Sequence, residues 1–466
     1  MLDTPWNHRA LCRGFLVALG LVVVPARPSA QQANNISLEA HLPLPPCTTA
    51  DVTAMGDYVY LARRHLGFSV VDVRDPQNPV LTTIAPPGYP LLPSQTGVND
   101  VKTDGKYLYC SDEGSPNGAG VFIYNLQGNP MNPSLVSMLG TGVQPLRVHN
   151  LWVDGTTLYA QRRMYNIAQP FSPAYMGDLT SGFVHDIIVI DNRAYVSKWR
   201  GGIEILDVTN PRRPIQLGSV LYPGAVTHNM WPSEDGRFLF TTDERADGDV
   251  RVWDISQLPN IRQVAAWRTG PPGSVVHNAH VSGDLLFVTY YREGLRVLNI
   301  KDPLRPVEIA YYDTYPETGL GCNGAFSGAW GVHPWRRDLV FVSDLQSGAY
   351  ILRVHPIAES LLPSATVVPA GAAFDLQLSY GNLTEATLDA FSVVTLSAVD
   401  GAPSFLPLFW EFRSFQPREA SVQHLPIPVP PGVPAGLTMR FSALTGLASP
   451  VLLSTQLDVD VTVGGD

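Results

Sequence analysis

The sequence predicts an all-β chain, a β-propeller of seven blades followed by a small immunoglobulin-like β-sandwich, and two repeated signals carry that prediction. The first is a glycine, an apolar strand and a proline-closed turn. It is clearest in residues 202–214 (GIEILDVTNPRRP), 67–79 (GFSVVDVRDPQNP) and 294–306 (GLRVLNIKDPLRP), with looser copies at 120–133, 249–259 and 348–354. No helix continues through such prolines, and the apolar runs suit strands. The second signal is a short polar pair that enters another apolar strand roughly fifteen to twenty residues earlier. The seven instances are Ala50-Asp51, Asn99-Asp100, His149-Asn150, His185-Asp186, His228-Asn229, His277-Asn278 and Trp330-Gly331.

Each pair opens a first strand, followed by a tight turn such as Asp104-Gly105, Asp154-Gly155 or Asp235-Gly236 and by a second strand, as at 58–62, 107–110, 238–242 and 285–290. Asp-Gly turns of this kind join antiparallel strands. The glycine-led strand is the third, and the segment after the prolines (79–84, 215–221, 307–312) is the fourth. Four antiparallel strands per repeat make a propeller blade. The third blade is degenerate: its hairpin is clear at 151–162, but 164–180 holds no glycine-led strand and the next pair follows after only 36 residues. Six regular blades with an irregular insertion are the alternative.

The seventh blade ends at Val354 without a fourth strand, while the lone segment 36–43 (ISLEAHLP) resembles the fourth strands elsewhere. It is therefore expected to complete the last blade, which leaves no open gap between the ends of the ring. The propeller is placed at residues 31–356. From 357 to 466 the repeat signals stop, and alternating segments at 374–378, 392–396, 437–442 and 457–463 suggest short strands of a sandwich. Residues 426–434 (PIPVPPGVP) read as an extended connector. An irregular stalk is the plainer alternative for this region.

Residues 1–30 read as a secretory signal peptide: Arg9 and Arg13 precede an apolar run at 15–24, and a small-residue stretch ends at Ala30. Ten apolar residues are too few to span a bilayer, and no later segment is long and apolar enough. The expected location is secreted, periplasmic or at the cell surface. Removing that segment takes away Arg9, Arg13, Arg27 and Asp3, leaving 28 basic and 40 acidic residues and a net charge of −12. Nucleic acid and anionic membranes are poor partners for such a chain. Of the cysteines left, Cys47 and Cys322 fall in loops that enter first strands of adjacent blades, a geometry compatible with a disulfide, and Cys110 would be free.

The strand ends in Asp-Val or Asn-Ile followed by Asp/Asn-Pro-x-x-Pro resemble the LVIVD repeat of bacterial and archaeal surface proteins. The order of motifs from His149 to Val354 is similar to that of the choice-of-anchor B family. The residues that carry it are His149-Asn150, Gly182-Phe183-Val184-His185-Asp186, Thr227-His228-Asn229, His277-Asn278, Tyr311-Tyr312-Asp313-Thr314-Tyr315-Pro316 and Gly328-Ala329-Trp330-Gly331-Val332. The resemblance spans about residues 36–356 and implies an extracellular propeller carried by varied anchoring modules, with no established reaction. The chain departs from it at the end, where a sandwich-like region stands in place of a membrane anchor or basic tail.

In a propeller the loops that enter the first strands and those that join second to third strands converge on one face. That places His149, His185, His228 and His277 at one phase of four consecutive blades, joined by Asp51, Asn99, Asp100, Asn150, Asp186, Asn229 and Asn278. The other loop set adds Arg63, Arg64 and His65, then Asp112 and Glu113, Lys198, Trp199 and Arg200, Asp243, Glu244 and Arg245, and Tyr291, Arg292 and Glu293. Neutral imidazoles suit copper, iron or zinc, so the four histidines are candidate ligands of a transition metal. The competing explanation is that each pair hydrogen-bonds neighbouring inner strands and stabilises the ring. His280, two residues past Asn278, is expected to be structural.

Two functions follow as expectations. One is a binding scaffold whose His-rich axial face docks an unidentified protein or small molecule, with Asp51, Asn99, Asn150, Asn229, Asn278, Arg63, Trp199, Arg200, Tyr291 and Arg292 as its ligand face. The other is a metal-dependent extracytoplasmic oxidoreductase or hydrolase, with Asp100, Asp186 or Glu244 as general base or support for the ligands. No Gly-x-Ser-x-Gly elbow, phosphate loop or His-Glu-x-x-His helix is present.

Overall fold

Regular structure among the described residues is strand, apart from one turn of 3-10 helix at Gly324–Phe326. The computed structural model describes residues 32–464 except 94–95, 115–118, 141–145, 316–321, 323, 336–337, 356, 385–386, 449–450 and 454–456. The expected signal segment, residues 1–30, lies outside them. No helix among the described residues is long and apolar enough to cross a membrane.

Seven antiparallel sheets follow one another along the chain. The first holds Val52–Met55, Tyr58–Ala62, Phe68–Asp72 and Val80–Ile84, and the second Val101–Thr103, Tyr107–Ser111, Val121–Asn125 and Ser134–Leu139. The third holds Leu151–Asp154, Thr157–Ala160, Arg163–Asn166 and Ala174–Asp178, and the fourth Asp186–Ile190, Arg193–Ser197, Ile203–Asp207 and Ile215–Val220. The fifth holds Thr227–Pro232, Phe238–Asp243, Val250–Gln257 and Asn260–Trp267; the sixth holds Val276–Ser282, Leu285–Tyr290, Gly294–Asn299 and Val307–Tyr312, with Ala33–Asn34 added at its edge. In the seventh, Ala329–Trp335, Leu339–Asp344 and Gly348–Val354 are joined by Ile36–Pro43, which pairs antiparallel with Gly348–Val354.

The repeat glycine has a steric cause. Gly202 has φ +76°, and a Cβ there would lie 2.2 Å from the carbonyl oxygen of Val220 in the fourth strand of its sheet. At Gly348 the same clash is with the oxygen of Leu42, also at 2.2 Å, so the N-terminal strand occupies the place of a fourth strand. The Asp or Asn that ends the third strand turns the chain: Asp207 Oδ1 accepts from Thr209 N at 2.8 Å and Asn299 Oδ1 from Lys301 N at 2.9 Å. The third sheet meets the pattern without the glycine. Its third strand is the short Arg163–Asn166, with Met164 and Tyr165 buried, and the left-handed turn residue before it is Gln161 at φ 49°.

Neighbouring sheets enclose separate apolar layers. Tyr60, Phe68, Leu108 and Phe122 fill the space between the first and second, and Leu61, Val71, Phe341 and Ile351 that between the seventh and first. The first strand of each sheet lies against the first strand of the next, and that of the seventh against that of the first. The result is a β-propeller-like all-β fold around a channel.

Residues 357–464 form two further sheets around one core that includes Phe374, Leu376, Phe415, Phe441 and Val461. The strands are longer than the sequence suggested, with Leu388–Val399 and Ala402–Phe415 making an extended hairpin. Pro426 and Pro428, expected in a connector, lie in the edge strand Ala420–Pro428, where a missing N–H breaks no interior ladder. This region docks on the sixth sheet. Asn299 Nδ2 donates to Ser379 Oγ at 2.7 Å and to the Ser421 carbonyl at 3.1 Å. Buried Arg418 donates to the Trp335 carbonyl at 3.3 Å with its guanidinium 5.3 Å from the ring of Phe287.

Candidate functional site: a histidine arc at the channel mouth

The polar pairs sit where the first strand leaves its ladder. In the fifth sheet the pairing jumps from Thr227↔Asp243 to Met230↔Thr241, and the same skip occurs from Val276 to Ala279 and from Ala329 to Val332. Such a bulge re-aims side chains and frees backbone groups for other partners. A hydroxyl at the end of the second strand takes them up. Thr242 Oγ1 accepts from Asn229 N at 3.2 Å and donates to the His277 carbonyl of the next sheet at 2.6 Å. Thr289 does the same for Asn278 N (3.0 Å) and the Trp330 carbonyl (2.8 Å), and Ser111 for Asp100 N (2.8 Å) and the His149 carbonyl (3.2 Å).

The second members of five pairs, Asp51, Asp100, Asn150, Asp186 and Asn229, join neighbouring sheets. Asp100 Oδ2 accepts from Leu151 N at 2.8 Å, Asn150 Oδ1 from Ile187 N at 3.2 Å and Asn229 Oδ1 from Ala279 N at 3.0 Å. Asn229 Nδ2 also donates to Asp186 Oδ2 at 2.8 Å. Lys102 bridges Asp51, at 2.6 Å, and Asp100. Asp100 and Asp186 are thus held in the wall of the channel, and burial raises Asp186 to a pKa of about 6. Asn278 Oδ1 is buried without a hydrogen-bond partner.

The first members face one another instead. Ring centroids of His149 and His185 lie 4.7 Å apart, those of His185 and His228 4.4 Å, and those of His228 and His277 4.1 Å. Nδ1 of His277 donates to the Trp330 carbonyl at 2.7 Å and Nδ1 of His185 to the His228 carbonyl at 3.3 Å, which leaves Nε2 of each with its lone pair. Nε2 of His277 and Nδ1 of His228 are buried with no partner. Burial pulls His277 down to a pKa of about 3, and burial together with the neighbouring rings pulls His185 and His228 well below the ordinary value. His149 is the exception. Burial opposes its charge, but the Glu113 carboxylate at 2.7 Å raises it.

These rings form two sets with metal-ligand spacing. One atom from each of His149, His185 and His228 lies within 4.8 Å of the others, and the same holds for His228, Glu244 and His277. Three protein ligands with room for a fourth is the arrangement of an open metal site. Below the arc the channel holds about 110 Å³ of space lined by Lys102, Trp152, Trp231, His280 and His333 among others. His280 stacks on Trp231 at 3.9 Å.

A third repeat position rims the arc. Two residues past the end of the second-strand hydroxyl position come Arg64, Glu113, Trp199, Glu244, Tyr291 and Leu345. Their backbone N–H groups all bond to carbonyls of entering loops, those of Val98, Gly97, Thr227, Val226, Val275 and Gly328. Arg64 (φ 45°) and Trp199 (φ 55°) hold left-handed backbone that side chains adopt rarely. Trp199 stacks on His185 at 4.7 Å. Tyr291 OH donates to Glu244 Oε1 at 2.6 Å, and Glu244 Oε2 lies 3.8 Å from His228 Nε2. Burial raises Glu244 to a pKa of about 7.

Not every expected ligand-face residue reaches this rim. Arg63 is buried in the body of the first sheet, where its guanidinium donates to the Thr48 carbonyl, Thr48 Oγ1 and Ser69 Oγ. Its neighbour Arg64 faces the mouth in its stead, past the end of the strand and turned by its left-handed backbone. Arg200 is exposed at a loop tip, and Arg292 donates to the Gly324 carbonyl at 2.9 Å. Asn99 stays at the arc, 3.2 Å from His149 Nδ1. Cys47 and Cys322 are joined, with Cα atoms 5.4 Å apart, and Cys110 is buried and free.

Known proteins bear on the repeat and not on the site. The family model of the LVIVD repeat matches residues 47–85 and 181–221, each span covering one whole sheet. No curated protein matches the chain. Among solved structures, the crystal structure of RRP9 WD40 repeats aligns at 13% identity over 70% of this chain and 100% of that one, with a TM-score of 0.49. The computationally designed Ika8 protein aligns at 10% identity over 68% and 99%, with a TM-score of 0.46. The chain carries LVIVD repeats in a propeller-like fold.

Proposed function

We propose that this protein is an exported seven-bladed β-propeller that works as a binding scaffold, and that its histidine arc holds one transition metal ion, copper, iron or zinc, at the ligand-taking mouth. In this reading residues 1–30 direct export, residues 31–356 form a ring of the choice-of-anchor B kind with Ile36–Pro43 closing the last blade, and residues 357–466 are an immunoglobulin-like attachment module. The Cys47–Cys322 disulfide supports an oxidising compartment. One observation carries the metal: neutral imidazoles lie side by side, and Nε2 of His277 is buried among them with no partner. A buried nitrogen without a partner is costly, and a metal ion would satisfy it.

Elemental analysis of residues 31–466, exported to a periplasm and purified without chelator or affinity metal, tests the proposal. About one metal per chain is expected, and none in a folded His228→Ala/His277→Ala variant. No metal in the parent, even after incubation with each ion, would overturn it.

Glu244 favours a second reading, a metal-dependent oxidoreductase or hydrolase. Its carboxyl sits within reach of the arc and is raised by burial to about 7, the range of a general base at neutral pH. Ester hydrolysis by the metal-loaded protein that is lost in Glu244→Gln would support it. Equal rates in both proteins would remove it.

A further inference from the structure

Beside the arc lies a separate pocket of about 300 Å³, lined by Arg64, Glu244, Tyr291, Phe326, Trp330, Leu345 and the Cys47–Cys322 disulfide. Three of its eight lining residues are aromatic, with Tyr291 and Phe326 edge to face at 5.8 Å and Tyr291 and Trp330 at 6.0 Å. Its cation is Arg64, whose guanidinium carbon lies 6.0 Å from the Trp330 ring centroid. Among the described residues that guanidinium has no hydrogen-bond or ion-pair partner, and the two carboxylates beside it are engaged elsewhere. Glu113 is taken by His149, and Glu244 by Tyr291. The left-handed backbone of Arg64, bonded in both directions to Val98 at 2.9 and 3.1 Å, fixes the direction in which the side chain leaves the loop.

A planar fork of donors without an acceptor fits a carboxylate in two parallel hydrogen bonds. The flat rings around it fit a flat body, and the volume is at the lower end of the range of small-molecule sites. Glu113 and Glu244, both near the cation, weigh against a ligand with a second negative charge. We infer that this pocket binds a small aromatic monocarboxylate, with its carboxylate on Arg64 and its ring among Tyr291, Phe326 and Trp330. The inference goes beyond the metal proposed for the arc and does not rest on it.

Benzoate and phenylacetate are the probes, titrated calorimetrically into the exported protein, both chelator-treated and zinc-loaded. Acetate, benzyl alcohol and inorganic phosphate supply the carboxylate alone, the ring alone and a rival anion. The aromatic carboxylates are expected to bind the metal-free protein at least about tenfold more tightly than any of the three controls, and Arg64→Gln to weaken them by about ten- to a hundredfold. Arg212→Gln, at an exposed turn of the fourth sheet, should leave binding unchanged, and Arg64→Lys should fall between, since it keeps the charge and loses the fork. No benzoate binding, equal binding by folded Arg64→Gln, or phosphate binding as tight as benzoate would each overturn the inference. Should Arg64→Gln fail to fold, wild-type affinity in Arg64→Lys would do so. The two proposals fail separately: benzoate binding that survives in His228→Ala/His277→Ala keeps this one without the metal, and metal retained in an Arg64→Gln protein that binds benzoate as before keeps only the other.

Discussion

His228 and Asn229 are adjacent in the chain, yet one serves the ring and the other the mouth. Asn229 gives its side chain to Asp186 and to Ala279 N, so it joins three sheets. His228 is equally buried and leaves Nδ1 with nothing to bond. The two explanations that the repeated pairs suggest therefore apply to different members of this pair, while His185 and His277 give Nδ1 to the ring and keep Nε2 for the mouth. Register alone does not separate them; the direction of the side chains at the bulge does.

The largest test is Asp100→Ala, which strips Lys102 and Leu151 N of an acceptor. Breaking this buried ion pair should cost about 3–5 kcal/mol in urea denaturation, and a cost near zero would end the structural role assigned to second members. Asn229→Ala comes next, at about 2–3 kcal/mol, because it leaves two buried partners unsatisfied. His228→Ala beside it should cost less, since the space it vacates opens into the channel. If the histidine change proves the more destabilising, the division between the two members fails.

Glu244→Gln sharpens the contrast through pH. In the folded, metal-free protein the carboxyl keeps its proton to about pH 7, whereas the unfolded chain releases it near the ordinary value of 4.5. The resulting penalty is absent below 4.5 and complete above 7. The variant should be more stable than the parent at pH 8, by a margin of order 2 kcal/mol, and equal to it at pH 4. Read per pH unit, the smallest change belongs to His333, deeper in the channel, which burial holds at about 3 against an ordinary 6.5. Between those values the unfolded chain takes a proton that the folded chain refuses, so stability falls on acidification. His333→Gln should flatten that fall by about 1 kcal/mol per pH unit between 6 and 4, and an unchanged slope would show the ring to be accessible to protons.

The repeat was legible because its causes are local. A glycine that must clear a carbonyl, an Asp that caps a turn and a proline that ends a strand each leave a fixed letter at a fixed spacing. The third sheet hid its third strand because Arg163–Asn166 is short and its left-handed turn uses Gln161. The arc was legible as a phase, four histidines at one position of four repeats. The rim was less so. Arg64, Glu113, Trp199, Glu244 and Tyr291 share a position but no chemistry, and only the backbone bonds to the entering loops mark it. All five stood in the loop groups read from the sequence, and counting two residues on from Ser111, Ser197, Thr242 and Thr289 would have singled out the last four and, from Ala62, Arg64 in place of Arg63. The strand Ala402–Phe415 escaped notice since Phe405, Leu406, Trp410 and Phe412 are exposed and break the alternation that marks a half-buried strand.

The pairing of Ile36–Pro43 with Gly348–Val354 sets an order of events in time. Ile36 meets Val354, and Cys47 meets Cys322 across 275 residues. On a growing or translocating chain the segment that arrives first must wait for nearly the last of the repeats before either partner exists. Until then its strand edge is unpaired and Cys47 has no native partner, so this end is the one most open to holding factors, premature oxidation and pairing with a second copy. Reordering the chain so that this strand follows residue 354 directly would remove the wait, and the gain should appear as yield of folded protein while the folded structure stays the same.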